Sequence, residues 1–199
     1  MPDPLPSVLD RDLFLVKEHY GFLKAANNYD VLDPETGEVL VECREDRLGL
    51  FTKIFRFSDF KRMTPFDVAL RMPDGPLLAR VERGIVLLRS KVRVSNGDGA
   101  LLGTFRQRLF SIGGGFSVLD DEGKDVCALK GKWTGFNYRL IAGDVEFAHI
   151  SKEWGGLAKE MFTTADTYAI RINSAVPKGS PVRVLILAAA VCIDMVLKE

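Results

Sequence analysis

The chain has 199 residues, 47% of them apolar and 27% charged, enough to bury one substantial core in one domain or two small ones. Its 27 basic and 27 acidic side chains cancel, so no global field gathers nucleic acid or anionic membrane, and a charged partner must meet a local patch. Cys43, Cys127 and Cys192 stand far apart in apolar runs without zinc spacing, which points to buried free thiols in a reducing, cytoplasmic setting.

The first stretch, MPDPLPSVLDRD, is proline-rich and acidic, with neither a basic start nor an apolar run, and so does not read as a signal peptide. Residues 1–11 are expected to be a short tail, and residues 12–199 a single domain. From Asp12 onward one rhythm recurs: alternating apolar residues, a turn rich in Asp, Asn and Gly, then alternation again. It appears in YDVLDPETGEVLVECRE, FDVALRMPDGPLLARVERG, VRVSNGDGALLGTFRQRL, FSVLDDEGKDVCALKGKW and YRLIAGDVEFAHI. Period two places one set of side chains on one face of a sheet. The PDG, NGDG and DEG turns supply the positive-φ positions of tight hairpins. With residues 12–17 before them and 167–172 after them, these hairpins give about twelve strands. Their uneven spacing excludes a solenoid or propeller and predicts an up-and-down antiparallel sheet that closes on itself.

Two segments break the rhythm. SKEWGGLAKEMF, residues 151–162, predicts a short helix capped by Ser151. LGLFTKIFRFSDFKR, residues 48–62, fits neither period cleanly and is read as a helix followed by a loop.

The chain ends in PVRVLILAAAVCIDMVLKE, where only Arg183 and Asp194 are polar between Val182 and Leu197. As a helix this segment is about 24 Å long, whereas a bilayer core needs about 20 apolar residues over roughly 30 Å. Spanning would also bury Asp194 in hydrocarbon at about 3 kcal/mol or more. A helix apolar on every side must still be enclosed. Eight strands leave room only for side chains, but a larger barrel can house a helix. The predicted fold is therefore mainly β: an antiparallel barrel of about twelve strands enclosing a C-terminal helix at residues 182–197.

The HISKEWGGLAKEMFTTADTYAIRI stretch, followed by VRVLILAAAVCIDMVL, resembles the C-terminal half of the phospholipid scramblases and their LURP-one-related cousins. The shared patterns are I-S-K-x-W, F-T-x-A-D, and the L/I-x-A-x-x-x-I-D of the last helix. The resemblance implies the Tubby C-terminal-like fold, a twelve-stranded barrel around a hydrophobic C-terminal helix. It also implies a calcium segment directly after F-T, with aspartates at its first, third and twelfth positions. Here those positions hold Thr164, Asp166 and Ala175, so Asp166 alone is carried over as a candidate calcium ligand. Calcium takes six to eight oxygen ligands, and one carboxylate beside Thr163, Thr164 and Thr167 makes a poor set. The proline-rich tail and cysteine cluster that tether the animal proteins are also missing from the sequence.

His19 and His149 lack metal-ligand spacing and are expected to be structural. Gly113–Gly115 has no following Lys-Ser/Thr, and Gly97 and Gly99 open no dinucleotide fingerprint, so turn glycines explain both. Asp120, Asp121 and Glu122 read as a solvated hairpin tip. No nucleophile elbow or cofactor motif is present, and the expected protein is not an enzyme. One patch invites a partner: Phe51, Phe55, Phe57 and Phe60 interleave with Lys53, Arg56, Lys61 and Arg62. Rings and cations together suit an anionic phospholipid surface, or single-stranded nucleic acid, or a barrel lid with solvated charges. The expected function is a non-enzymatic lipid- or membrane-associating protein, cytoplasmic or peripheral, with no nucleic-acid partner. The alternative is a cytosolic module that binds a protein partner and ignores lipid, as the LURP-one-related resemblance allows.

Overall fold

The alternating segments become a wall. A computed structural model describes residues 6–19, 28–45, 63–109, 114–132, 135–152 and 167–197. Its strands are β1 (Leu13–His19), β2 (Asn28–Leu32), β3 (Val39–Arg44), β4 (Phe66–Arg71), β5 (Leu77–Arg83) and β6 (Lys91–Asn96). They continue as β7 (Leu101–Gln107), β8 (Gly115–Leu119), β9 (Asp125–Lys132), β10 (Asn137–Ala142), β11 (Val145–Ser151) and β12 (Thr167–Ile172). Each pairs antiparallel with the next in sequence, and β1 pairs with β12, which closes the barrel. β6 shows why such sequences form the wall: Val92 and Val94 are buried while Lys91 and Arg93 face solvent. Register shifts near Leu32, Arg71, Ser95, Leu119 and Ile141 mark bulges, which sharpen the twist that closure demands.

Inside lies α1 (Pro181–Cys192), continued by one π turn, Ile193–Leu197. Ser180 caps the helix, its hydroxyl accepting from the Val182 amide at 3.3 Å, and Pro181 takes the first position, where no donor is needed. Every residue from Arg183 to Cys192 is buried. Ala188, Ala189 and Ala190 keep the helix slim enough for the bore. Gly103 on β7 lets it come close, because a Cβ there would lie 3.2 Å from a Leu185 methyl. The segment is the barrel's own filling. No helix among the described residues is long and apolar enough to cross a membrane.

Three local expectations meet different outcomes. Residues 7–10, placed in the tail, wind into a 3-10 helix (Ser7–Asp10) that buries Leu9. Ser151, expected to cap a helix, instead ends β11 opposite Asn137, because the Ile150 side chain before it still belongs to the barrel interior. The rest of that predicted helix, like the segment at residues 48–62, lies outside the described residues.

The wall tolerates little added volume where strands cross closely. At Gly131 on β9 a Cβ would collide with the Asn137 carbonyl oxygen and the Tyr138 ring. Gly131→Ala should therefore cost about 2 kcal/mol and lower the melting temperature by roughly 4–8 °C. A thermal melt followed by circular dichroism measures it, and an unchanged midpoint would mean the two strands can separate freely.

Burial also sets the alkaline limit of the fold. Desolvation pushes the Cys43 thiol up to about 12, the Cys127 thiol to about 11 and the Tyr138 hydroxyl to about 12. Tyr29 is raised as well, by desolvation first and then by the Asp194 carboxylate. These groups stay neutral when folded but ionise in the unfolded chain near 9.0 for the thiols and 10.0 for the phenols. Stability is thus complete below about pH 9 and is lost as the pH rises towards 12. Urea midpoints should hold from neutrality to about pH 8.5 and then fall steadily, whereas a flat profile to pH 11 would contradict the buried assignment.

Candidate functional site

The winding gives the barrel two unlike rims. At one, tight turns join β2 to β3, β4 to β5, β6 to β7, β8 to β9 and β10 to β11. The odd-numbered strands end at the other rim, and the C-terminal end of α1 points towards it. At the turn rim Asn96 shows how the glycine-rich hairpins are held: its side-chain oxygen accepts from the Asp98 amide at 3.1 Å and the Ala100 amide at 2.8 Å, with Gly99 at φ 85°. The near-dinucleotide pattern is a hairpin turn.

Arg183 seals the turn rim from within. Only 1% exposed, its guanidinium donates to the carbonyl oxygens of Leu9 (3.1 Å), Arg11 (2.8 Å), Val176 (3.2 Å) and Pro177 (3.1 Å), and to the Asp12 carboxylate (2.8 Å). The planar fork thus ties α1 to the segment before β1 and to the turn after β12. At the opposite end the Tyr29 hydroxyl donates to Asp194 at 2.7 Å, joining the π turn to β2. Both polar residues of the apolar tail are therefore structural ties between helix and wall.

The rim opposite the turns carries the feature least expected of a water-facing surface. Between β5 and β6, residues 84–90 read GIVLLRS, and Ile85, Leu87 and Leu88 are 77%, 81% and 85% exposed. Leu109, just beyond β7, adds a half-exposed aliphatic side chain to the same rim. The loop holds its shape because its base is stapled. Arg83, buried, donates to the Ser90 hydroxyl at 3.2 Å and to the Thr64 carbonyl at 2.6 Å, with its guanidinium 4.6 Å above the Phe66 ring. Ser90 exchanges bonds with Gln107, its amide donating to Oε1 at 3.2 Å and its carbonyl accepting from the Gln107 amide at 2.9 Å. The Val86 amide donates to the Met63 carbonyl at 3.2 Å. Arg89 and Lys91 flank the tip, both exposed, and residues 84–91 contain no carboxylate. Clustered exposed aliphatics of this kind mark contact sites, since a folded chain normally turns them inward.

Of the site residues expected from sequence, Lys53, Phe55, Arg56, Phe57, Phe60, Lys61, Arg62 and Asp166 all lie outside the described residues. His19 pairs with Asp30 at 2.6 Å and His149 contacts Asn137 at 3.0 Å. Among the described residues no three His, Cys, Asp or Glu side chains converge as metal ligands. The aliphatic tip itself went unread in the sequence. Its signal was an apolar run sitting where a turn between two strands should be polar.

Residues 20–199 match the model of the scramblase family. The chain belongs to the scramblase family. No curated protein matches it. Among solved structures, the X-ray structure of a protein from Arabidopsis thaliana aligns with a TM-score of 0.53 and 14% identity, covering 90% of this chain and 91% of that one. That likeness concerns the fold alone, and it agrees with a scramblase-family barrel wound around its last helix.

Proposed function

We propose that this scramblase-family barrel is a non-enzymatic peripheral protein that attaches to anionic membrane surfaces through the rim that carries the aliphatic tip. The observation that carries the reading is the aliphatic tip of Ile85, Leu87 and Leu88, held outward on a stapled base beside Arg89 and Lys91. Each large aliphatic side chain moved from water into lipid contributes roughly 1.5–3 kcal/mol, and each nearby cation adds about 1 kcal/mol at an anionic surface. Together these suffice for reversible docking without a spanning helix.

The attachment is to the surface, not a passage through the barrel. Its bore is occupied by α1, whose buried length offers no polar track to a lipid headgroup. With Asp166 the one aspartate retained of the family's calcium segment, docking is expected to be independent of calcium.

Co-sedimentation of the full chain with vesicles tests this directly. Binding should appear with phosphatidylserine present and be weak on pure phosphatidylcholine. It should decline as salt rises and be equal in calcium and in EDTA. Failure to bind anionic vesicles at low salt would defeat the proposal and favour a protein partner.

A further inference from the structure

Away from the tip, the outer wall carries an uneven charge pattern. On β2–β5 the cations are answered by carboxylates: Arg44 reaches Asp30 at 2.7 Å and Glu42 at 3.0 Å, and Arg80 reaches Asp67 at 2.8 Å. On β9–β12 the register does the opposite. Lys130 stands opposite Arg139, Arg139 opposite His149, and His149 opposite Arg171, so four adjacent strands carry one unbroken row of basic side chains. Lys132 lies on the same outer face two residues along, opposite Asn137. Like charges placed directly across a ladder, as Lys130 and Arg139 are, repel. Among the described residues one carboxylate answers the row: Glu146 lies 3.5 Å from the Arg139 Nε, and both side chains are substantially solvated.

The row borders a groove of about 430 Å³, lined by Lys130, Lys132, Asn137 and Arg139, with Gly131, Gly135 and Ile141 between them. Lys132 ends β9 and Asn137 begins β10, so the groove opens onto the rim that carries the aliphatic tip. We infer that this groove binds a phosphomonoester group, with Lys130, Lys132 and Arg139 as its cationic ligands and the Asn137 amide as a neutral one. A phosphomonoester carries a charge of about −1.5 to −2 and three acceptor oxygens, which matches several converging cations better than a singly charged carboxylate or phosphodiester does. The lipid-borne form of the ligand rests on the membrane reading above, because the groove and the tip open onto the same rim.

The test compares the full chain with K130Q/R139Q, both substitutions being on exposed side chains, after melting curves establish that the variant is folded. Vesicles of phosphatidylcholine carrying phosphatidic acid are set against phosphatidylserine vesicles of matched surface charge. The wild-type chain should bind phosphatidic acid about tenfold more tightly, and the variant should keep its phosphatidylserine binding while that preference falls to about twofold or less. Calorimetry with glycerol 3-phosphate supplies the same chemistry without a bilayer. Heat with the soluble phosphomonoester, lost in K130Q/R139Q, alongside no vesicle binding would uphold the groove and sink the membrane reading. The inference is overturned if the wild-type chain shows neither preference nor heat, or if either signal survives in the variant.

Discussion

Arg183→Ala should destabilise the barrel by about 3–5 kcal/mol, the range for stripping a partner from a buried charged network. The side chain is 1% exposed, and its removal orphans the buried carbonyls of Leu9 and Val176 at the mouth where α1 enters. Those acceptors have no water to turn to unless the rim opens. Arg183→Lys should recover less than half of the loss. An ammonium keeps the charge but lacks the planar fork that reaches both the segment before β1 and the turn after β12. Urea titration of the three proteins measures this. A loss under about 1 kcal/mol for the alanine variant would mean that α1 is held by packing alone.

L87S/L88S should weaken binding to phosphatidylserine vesicles by about 3 kcal/mol, a loss on the order of 100-fold, and leave folding stability within about 0.5 kcal/mol of the parent. Both leucines are more than four-fifths exposed, so the folded chain alone gains almost nothing from them. R89Q should weaken binding by only about fivefold, and that smaller effect should vanish in high salt while the effect of the leucines persists. Unchanged affinity in L87S/L88S would move the contact elsewhere on the barrel.

The barrel was legible because alternation and turn chemistry are local. VRVSNGDGALLGTFRQRL carries its own two strands and its own turn, and no distant residue is needed to read them. The enclosed helix was legible by exclusion, being too short and too charged to span a bilayer, yet apolar on every side. The candidate site was not legible, since what defines it is non-local. Residues 84–90 read as one more apolar run. Their outward course is fixed by Arg83 reaching Thr64, by Val86 reaching Met63 and by Ser90 bonding to Gln107. The basic row is invisible until register is known, because Lys130, Arg139, His149 and Arg171 share no sequence period, and the bulge between Leu140 and Ile141 shifts β11 against β10. Arg183 looked like a blemish in an apolar tail, and its partners before β1 lie more than 170 positions away.

Hydrogen–deuterium exchange of the full chain, with and without phosphatidylserine vesicles, is the most direct test of whether the rim, and not the terminal helix, meets a membrane. The amides of Pro181–Cys192 should exchange slowly and equally in both conditions, because the wall already covers them, while residues 84–90 should gain protection only when vesicles are added. Exchange that is fast in the terminal helix until lipid arrives, with residues 84–90 unmoved, would contradict the account.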